Sequence, residues 1–166
     1  LQFAMSVGHG TFGDYCAACH GAGGQGKIGL FPNLADNAWL YGNSYDTIVN
    51  KIQNGINGMM PAQNVADGKI DDLAKYVLSL SGNAEISGEA ASRGKQAFAS
   101  CAGCHGQNGK GNEALGAPNL TDAIWDVADV PGCGGDTACQ MDEIKHVVNN
   151  GIQRQMPAFG ERLTET

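Results

Sequence analysis

A five-residue frame of two cysteines and a histidine occurs twice in this chain and limits its possible folds more than any other feature. The frame is Cys-x-x-Cys-His, at residues 16–20 and again at residues 101–105. It is the attachment signature of c-type haem. The two thiols bond to the porphyrin edge, and the adjacent imidazole is then placed to bind the iron from one face. A domain built on this frame must wrap its chain around a large, flat cofactor.

Three other uses of the same residue types compete with haem attachment. A thioredoxin-like dithiol is expected as a single motif near a βαβ pattern, and the sequence shows no such pattern. A zinc site needs a second ligand pair, which Cys133 and Cys139 could supply for one frame only. A disulfide within each frame leaves the repeated histidine without a role. The duplication therefore favours two haem c groups, attached through Cys16, Cys19, Cys101 and Cys104.

The frames are part of a longer internal repeat, which indicates a duplicated domain. The second copy carries an insertion of ten residues between Trp125 and Ile144, which contains Cys133 and Cys139. The shared features, each given for the first copy and then the second, are Pro32 and Pro118, Trp39 and Trp125, Asn-Gly-Ile at 54–56 and 150–152, and Met-Pro-Ala at 60–62 and 156–158.

The periodicity of the sequence predicts helices joined by long loops. Apolar residues at helical spacing predict a helix over residues 70–80. Others are expected at about 89–100, before Cys16, and at 45–54 and 142–150. The stretches after each frame are rich in Gly, Asn and Pro and predict loops, and no strand alternation is present. We expect an all-α fold with domains at 1–82 and 89–166 and a linker at 83–88.

The size and composition of these domains also favour a central cofactor. Domains of about 80 residues are near the size at which a side-chain core is marginal. Only 7% of the residues are aromatic. The net charge of −7 argues against a nucleic-acid-binding surface. No apolar run reaches the roughly 18 residues needed to cross a bilayer.

Each copy offers a methionine as the second axial ligand of an iron. Ligation by His and Met raises the reduction potential and suits electron transfer. A lone methionine usually fills a core, but Met60 and Met156 return at the same place after Asn-Gly-Ile. Met59 is the rival in the first copy, and Gln155 replaces it in the second. The sequence predicts the ligand pairs His20 with Met60, and His105 with Met156.

The shared prolines and tryptophans have roles around such a haem. The carbonyls of Pro32 and Pro118 could accept hydrogen bonds from the Nδ1 atoms of the frame histidines, which would fix the imidazole orientation. Trp39 and Trp125 could line the haem edge or donate to a propionate, and simple packing explains them equally well.

The two cysteines of the insertion predict a structural disulfide. Cys133 and Cys139 are six positions apart in a glycine-rich loop, so their Cα atoms can approach the roughly 4.4–6.8 Å that a disulfide requires. The alternatives are a metal pair, which lacks further ligands nearby, and free thiols.

Beyond these features, the sequence resembles tandem class I-like cytochrome c domains, each wrapped around one covalent haem c. More narrowly, it is similar to the periplasmic diheme subunit of cbb3-type haem-copper oxidases. The segments that carry the resemblance are the two frames, Phe-Pro-Asn-Leu-Ala-Asp at 31–36, Trp-Leu-Tyr-Gly at 39–42, Ala-Pro-Asn-Leu-Thr-Asp at 117–122 and the two Met-Pro-Ala motifs.

The resemblance implies a periplasmic relay of single electrons to a terminal oxidase, and no enzyme activity of the chain by itself. The donor would be a cytochrome or a quinol-oxidising complex, and the membrane would be reached through a partner or an anchor missing from this sequence. The alternatives are a free diheme shuttle, a subunit of another periplasmic redox enzyme, or a diheme peroxidase or sulfur-compound oxidase. No counterpart of the 70–80 helix follows Phe159, so we expect the second copy to lack its closing helix.

Overall fold

The structure is a computed structural model that describes residues 2–163. In this part the chain forms seven α-helices and two short strands. Within that part, no helix has the length and hydropathy needed to cross a membrane. The helices are α1 (Gln2–Tyr15), α2 (Ala17–His20), α3 (Tyr45–Asn54), α4 (Lys69–Leu80), α5 (Gly88–Phe98), α6 (Ala102–His105) and α7 (Thr137–Asn150). The strands are β1 (Ile56–Met60) and β2 (Ile152–Met156), and a 3-10 turn covers Pro131–Cys133.

The helices follow the predicted pattern, except that α7 begins earlier, at Thr137 instead of residue 142. The reason is an N-cap inside the insertion. The Asp136 carboxylate accepts hydrogen bonds from the backbone N–H groups of Ala138 and Cys139, at 2.9 and 3.3 Å. Such a cap satisfies donors that the first helical turn would otherwise leave unpaired. The insertion is therefore partly helical.

The two strands form an antiparallel ribbon that the all-α prediction did not contain. Ile56 pairs with Met156, and Met60 pairs with Ile152. In both strands the residues alternate between half-buried and exposed, with Ile56, Gly58 and Met60 on the buried side of β1. Since β1 follows α3 and β2 follows α7, the ribbon joins the two copies of the repeat.

Each strand carries the chain from its own copy to the other one. After β1, the N–H of Gln63 donates to the Val148 carbonyl at the end of α7, at 2.8 Å. After β2, the N–H of Phe159 donates to the Ile52 carbonyl at the end of α3, at 2.9 Å. The Phe159 ring also meets the Tyr15 ring edge-on, with centroids 6.4 Å apart. The two copies have therefore exchanged the segments that follow α3 and α7.

Two glycines permit this exchange. A Cβ atom at Gly55 would lie 2.5 Å from the carbonyl oxygen of Met156, and one at Gly151 would lie 2.5 Å from that of Met60. Both residues also have positive φ, 72° and 68°, which side chains disfavour. The repeated Asn-Gly-Ile segment thus marks the two points where one copy's chain passes over the end of the other copy's helix.

Helix α4 follows the first copy in the chain but lies against the second copy. It packs against α5 and α7. The hydrophobic core consists of α4 residues and second-copy residues, with Leu73 only 1% exposed and Phe98 only 2%. Residues 2–69 contribute no buried hydrophobic side chain. Residues 69–80 thus pack with the second copy, while the domain bounds 1–82 and 89–166 stay a prediction.

Candidate haem sites

A single cavity of about 730 Å³ extends through both copies and is lined by both Cys-x-x-Cys-His frames. Its walls carry aromatic and aliphatic side chains from both copies and from α4, among them Phe31, Trp39, Leu73, Phe98 and Trp125. A cavity with apolar walls and a few convergent polar groups is the usual form of a cofactor site. The first copy has few buried side chains of its own because it is built around this space.

The four frame cysteines lie at the cavity wall with free thiols. Cys16 and Cys101 each precede a one-turn helix, α2 or α6, that ends with the frame histidine. Burial raises the pKa of both thiols, with a smaller contribution from the second cysteine of each frame. No disulfide forms within either frame, so each pair of thiols is available to one porphyrin edge.

Both frame histidines are held in one orientation. Their side chains are buried, at 9% and 8% exposure for His20 and His105. The Nδ1 atom of His20 lies 3.0 Å from the Pro32 carbonyl, and that of His105 lies 3.1 Å from the Pro118 carbonyl. A carbonyl can only accept, so Nδ1 carries the proton. The Nε2 atom is thereby left with its lone pair, which is the form that binds a metal.

The methionines line the cavity, and each lies beside a helix of the other copy. Met60 is on the half-buried side of β1, whereas its rival Met59 is 77% exposed. Met60 packs against the core of α4 and the second copy. The backbone of Met156 lies over Gly55 at the end of α3, in the first copy. The chain path thus holds each methionine beside a helix of the other copy, and the pairs predicted within each copy, His20 with Met60 and His105 with Met156, stay predictions.

The tryptophans differ between the two copies although both line the cavity. Trp39 is 37% exposed, while Trp125 packs against the core. The Trp125 Nε1 atom is buried and has no hydrogen-bond partner among the atoms of residues 2–163. Buried donors are rarely left unpaired, so this N–H points to an acceptor that the chain does not supply. A haem carboxylate is such an acceptor, and the residues present fit haem c.

Arg154 and Asp126 also line the cavity, and the sequence did not predict either of them as a site residue. Arg154 is in the middle of β2, opposite Gly58, and its Nη2 atom donates to the Asp126 carbonyl oxygen at 3.1 Å. Burial lowers the pKa of Arg154 and raises the pKa of the Asp126 carboxyl. The signal that could have identified Arg154 is a charge at the centre of Ile152-Gln-Arg-Gln-Met156, where a strand would turn it inward.

The insertion is closed by the predicted disulfide, and the segment just before it contacts the first copy. Cys133 and Cys139 are bonded, with their Cα atoms 5.7 Å apart. They join the 3-10 turn to the first turn of α7. Just before the insertion, the Asp126 carbonyl accepts a hydrogen bond from the N–H of Gly29, at 2.9 Å.

Known proteins are similar to this chain over nearly its full length. A family model described as cytochrome c oxidase, cbb3-type, subunit III matches residues 3–77 and again residues 89–166. The cbb3-type cytochrome c oxidase subunit FixP of Azorhizobium caulinodans is 42% identical over 177 residues, which cover 100% of this chain and 57% of that protein. Subunit CcoP of Rubrivivax gelatinosus is 43% identical over 164 residues, which cover 97% of this chain and 50% of that protein.

The chain thus spans about half the length of these relatives. The family match in both copies confirms the prediction of two tandem cytochrome c domains with two haem c groups. This chain belongs to the family of the cbb3-type cytochrome c oxidase subunit III.

Proposed function

We propose that this chain is the electron-transfer part of a subunit of a cbb3-type terminal oxidase and has no enzyme activity by itself. Haem c supplies reversible one-electron chemistry when bound. The observation that carries the proposal is one cavity that holds two oriented histidines and two inward methionines, together with the family match. Two haems in one cavity would be close enough to act as consecutive carriers.

The axial ligands are proposed to be crosswise pairs, His20 with Met156 and His105 with Met60. The path of the chain supports this pairing. The N–H of Phe159, three residues after Met156, donates a hydrogen bond to the end of α3. The N–H of Gln63, three residues after Met60, donates one to the end of α7. Each methionine is thus held beside a helix of the other copy, which supports ligation of that copy's haem.

The residues around the ligands orient them and exclude substrates. The proline carbonyls fix the imidazoles, and the ribbon fixes both methionines on its inward side. Ligation by Met and His closes the coordination sphere and raises the reduction potential. A closed sphere leaves no position for a substrate, so a relay fits better than a peroxidase or a sulfur-compound oxidase.

The partners proposed are redox proteins, with a donor cytochrome or quinol-oxidising complex on one side and the oxidase core on the other. The net charge of −7 suits a basic docking patch on a partner. The proposed compartment is the periplasm, at the inner membrane, and the Cys133–Cys139 disulfide is consistent with an oxidising compartment.

Removal of one methionine tests both the cofactor and the crosswise pairing. The denatured protein should first show a mass increased by two haem groups. In oxidised Met60→Ala, the open iron should become high-spin, and NMR should show large shifts of the His105 ring resonances while those of His20 stay in place. Met59→Ala, a change at an exposed neighbour, should move neither set. Shifts at His20 instead would refute the crosswise pairing, and a mass without two haems would refute the function.

Cyanide binding distinguishes the relay from a diheme enzyme. Native protein with two closed iron sites should bind cyanide slowly, whereas Met60→Ala should bind it quickly at one haem. Fast binding of cyanide to the unmodified protein would favour an enzyme with an open site.

A further inference from the structure

Arg154 lines the cavity from the middle of the ribbon that joins the two copies. Arg154 is the middle residue of β2 and lies on its half-buried side. Its partner in the ribbon is Gly58, which has no side chain to cover it. The residue therefore lines the cavity at the place where the two haem sites adjoin.

This cation has no carboxylate partner within the described part of the chain. Across residues 2–163, the ion pairs within 4.0 Å involve Arg93 and Lys145. Arg154 makes one hydrogen bond, from Nη2 to the Asp126 carbonyl oxygen at 3.1 Å. A guanidinium has five N–H donors, so most of its hydrogen-bonding capacity remains. The Asp126 carboxylate acts on this partly buried cation only from beyond ion-pair distance, so an anion in the cavity would offset the remaining cost of burying the charge.

We infer that Arg154 binds the carboxylates of the haem propionates and keeps the reduction potential of at least one haem high. The guanidinium is planar, and its paired donors match a carboxylate in bidentate geometry. Its positive charge favours the reduced form of an adjacent haem, which carries one positive charge less than the oxidised form. The Asp126 carbonyl positions the guanidinium, and the unpaired Nε1 of Trp125 offers a further donor to the same groups.

This inference rests on the proposed function only in that the cavity holds haem. No residue of the first copy corresponds to Arg154, because Gly58 occupies that position in β1. One arginine on the ribbon therefore serves the junction of the two sites. Lys110 also lines the cavity, but it is exposed, so solvent screens its charge. It provides a matched control for the loss of one positive charge.

The test uses the haem-loaded full chain and compares Arg154→Gln, Arg154→Lys and Lys110→Gln with the unmodified protein. Each protein is first checked for two attached haems by mass, and its reduction potentials are then measured by spectroelectrochemistry. Resonance Raman spectra report the propionate bending bands. In Arg154→Gln we expect one potential to fall by at least the equivalent of a tenfold change in the reduction equilibrium, which is about 59 mV for one electron. We also expect its propionate band to shift.

The other two variants separate charge from packing. Arg154→Lys should restore most of the potential but not the unmodified Raman band, because an ammonium cannot form the bidentate contact. Lys110→Gln removes an exposed charge from the same cavity, so it should lower the potential much less than Arg154→Gln does. If Arg154→Gln loads two haems but keeps both potentials and the propionate bands, the inference is overturned while the proposed function stands. If Arg154→Gln fails to load haem, the Arg154→Lys variant decides: propionate bands unchanged from those of the unmodified protein would overturn the inference.

Discussion

The close approach of α4 and α5 predicts how the addition of one methyl group at their crossing changes the stability of the protein. A Cβ atom at Gly94 would lie 2.5 Å from the carbonyl oxygen of Asp72 and 2.6 Å from the Cβ of Tyr76. Neither atom can move by rotation of a side chain, so the helices must separate. Overpacking of this kind costs up to about 3 kcal/mol, and the better helix propensity of alanine returns about 1 kcal/mol. Gly94→Ala should therefore lower the free energy of unfolding by about 2 kcal/mol.

The same substitution in α1 provides the control with the opposite sign. Gly8 is in α1, the helix that precedes the first frame as α5 precedes the second, but a Cβ atom there would have nothing within 4 Å. Gly8→Ala should gain about 1 kcal/mol from helix propensity alone. Guanidinium unfolding of the two haem-loaded variants, followed by far-UV circular dichroism, should separate them by about 3 kcal/mol. Equal stabilisation by both substitutions would refute the packing of α4 on α5.

Three further predictions concern the disulfide, a buried carboxyl and the net charge. Replacement of both Cys133 and Cys139 by serine should cost about 2 kcal/mol in the same unfolding assay, and denatured, unreduced haem-loaded protein should expose no reactive thiol. Burial raises the pKa of the Asp126 carboxyl in the folded protein above its unfolded pKa of about 3.9. Its contribution to the free energy of unfolding is therefore complete below the unfolded pKa and is lost as the pH rises through the folded pKa. Asp126→Asn should thus match the unmodified protein in acid and exceed its stability at neutral pH; a constant difference would contradict this. Electron-transfer rates with a basic partner should fall as ionic strength rises, and insensitivity to salt would argue against electrostatic docking.

The sequence predicted the parts of the site that depend on neighbouring residues. The frames fix the cysteines and histidines, and the prolines that orient the imidazoles lie in the same loops, 12 and 13 positions further along the chain. The exchange could not be predicted in this way. Because the two copies carry the same Asn-Gly-Ile and Met-Pro-Ala segments, either segment fits either copy, and the sequence alone contains no preference.

Where the structure departs from the prediction, either tertiary pairing or a difference between the copies is the cause. The strand sequences Ile-Asn-Gly-Met-Met and Ile-Gln-Arg-Gln-Met have little intrinsic β-propensity, and their pairing with each other makes them strands. Arg154 has no counterpart in the first copy, whereas the predicted haem-site residues are those that the two copies have in common. The early start of α7 depends on Asp136, which belongs to the insertion.

The exchange of segments also determines what a cut in the chain would produce. Cleavage in the connection between α4 and α5, residues 81–87, would separate His20 and Met60 from His105 and Met156. With crosswise ligands, each fragment would carry one axial ligand of each iron. Neither fragment alone could then complete the ligation of either haem. The nicked protein would therefore behave as an obligate two-chain complex, and its stability would depend on protein concentration by mass action, as it does in domain-swapped dimers.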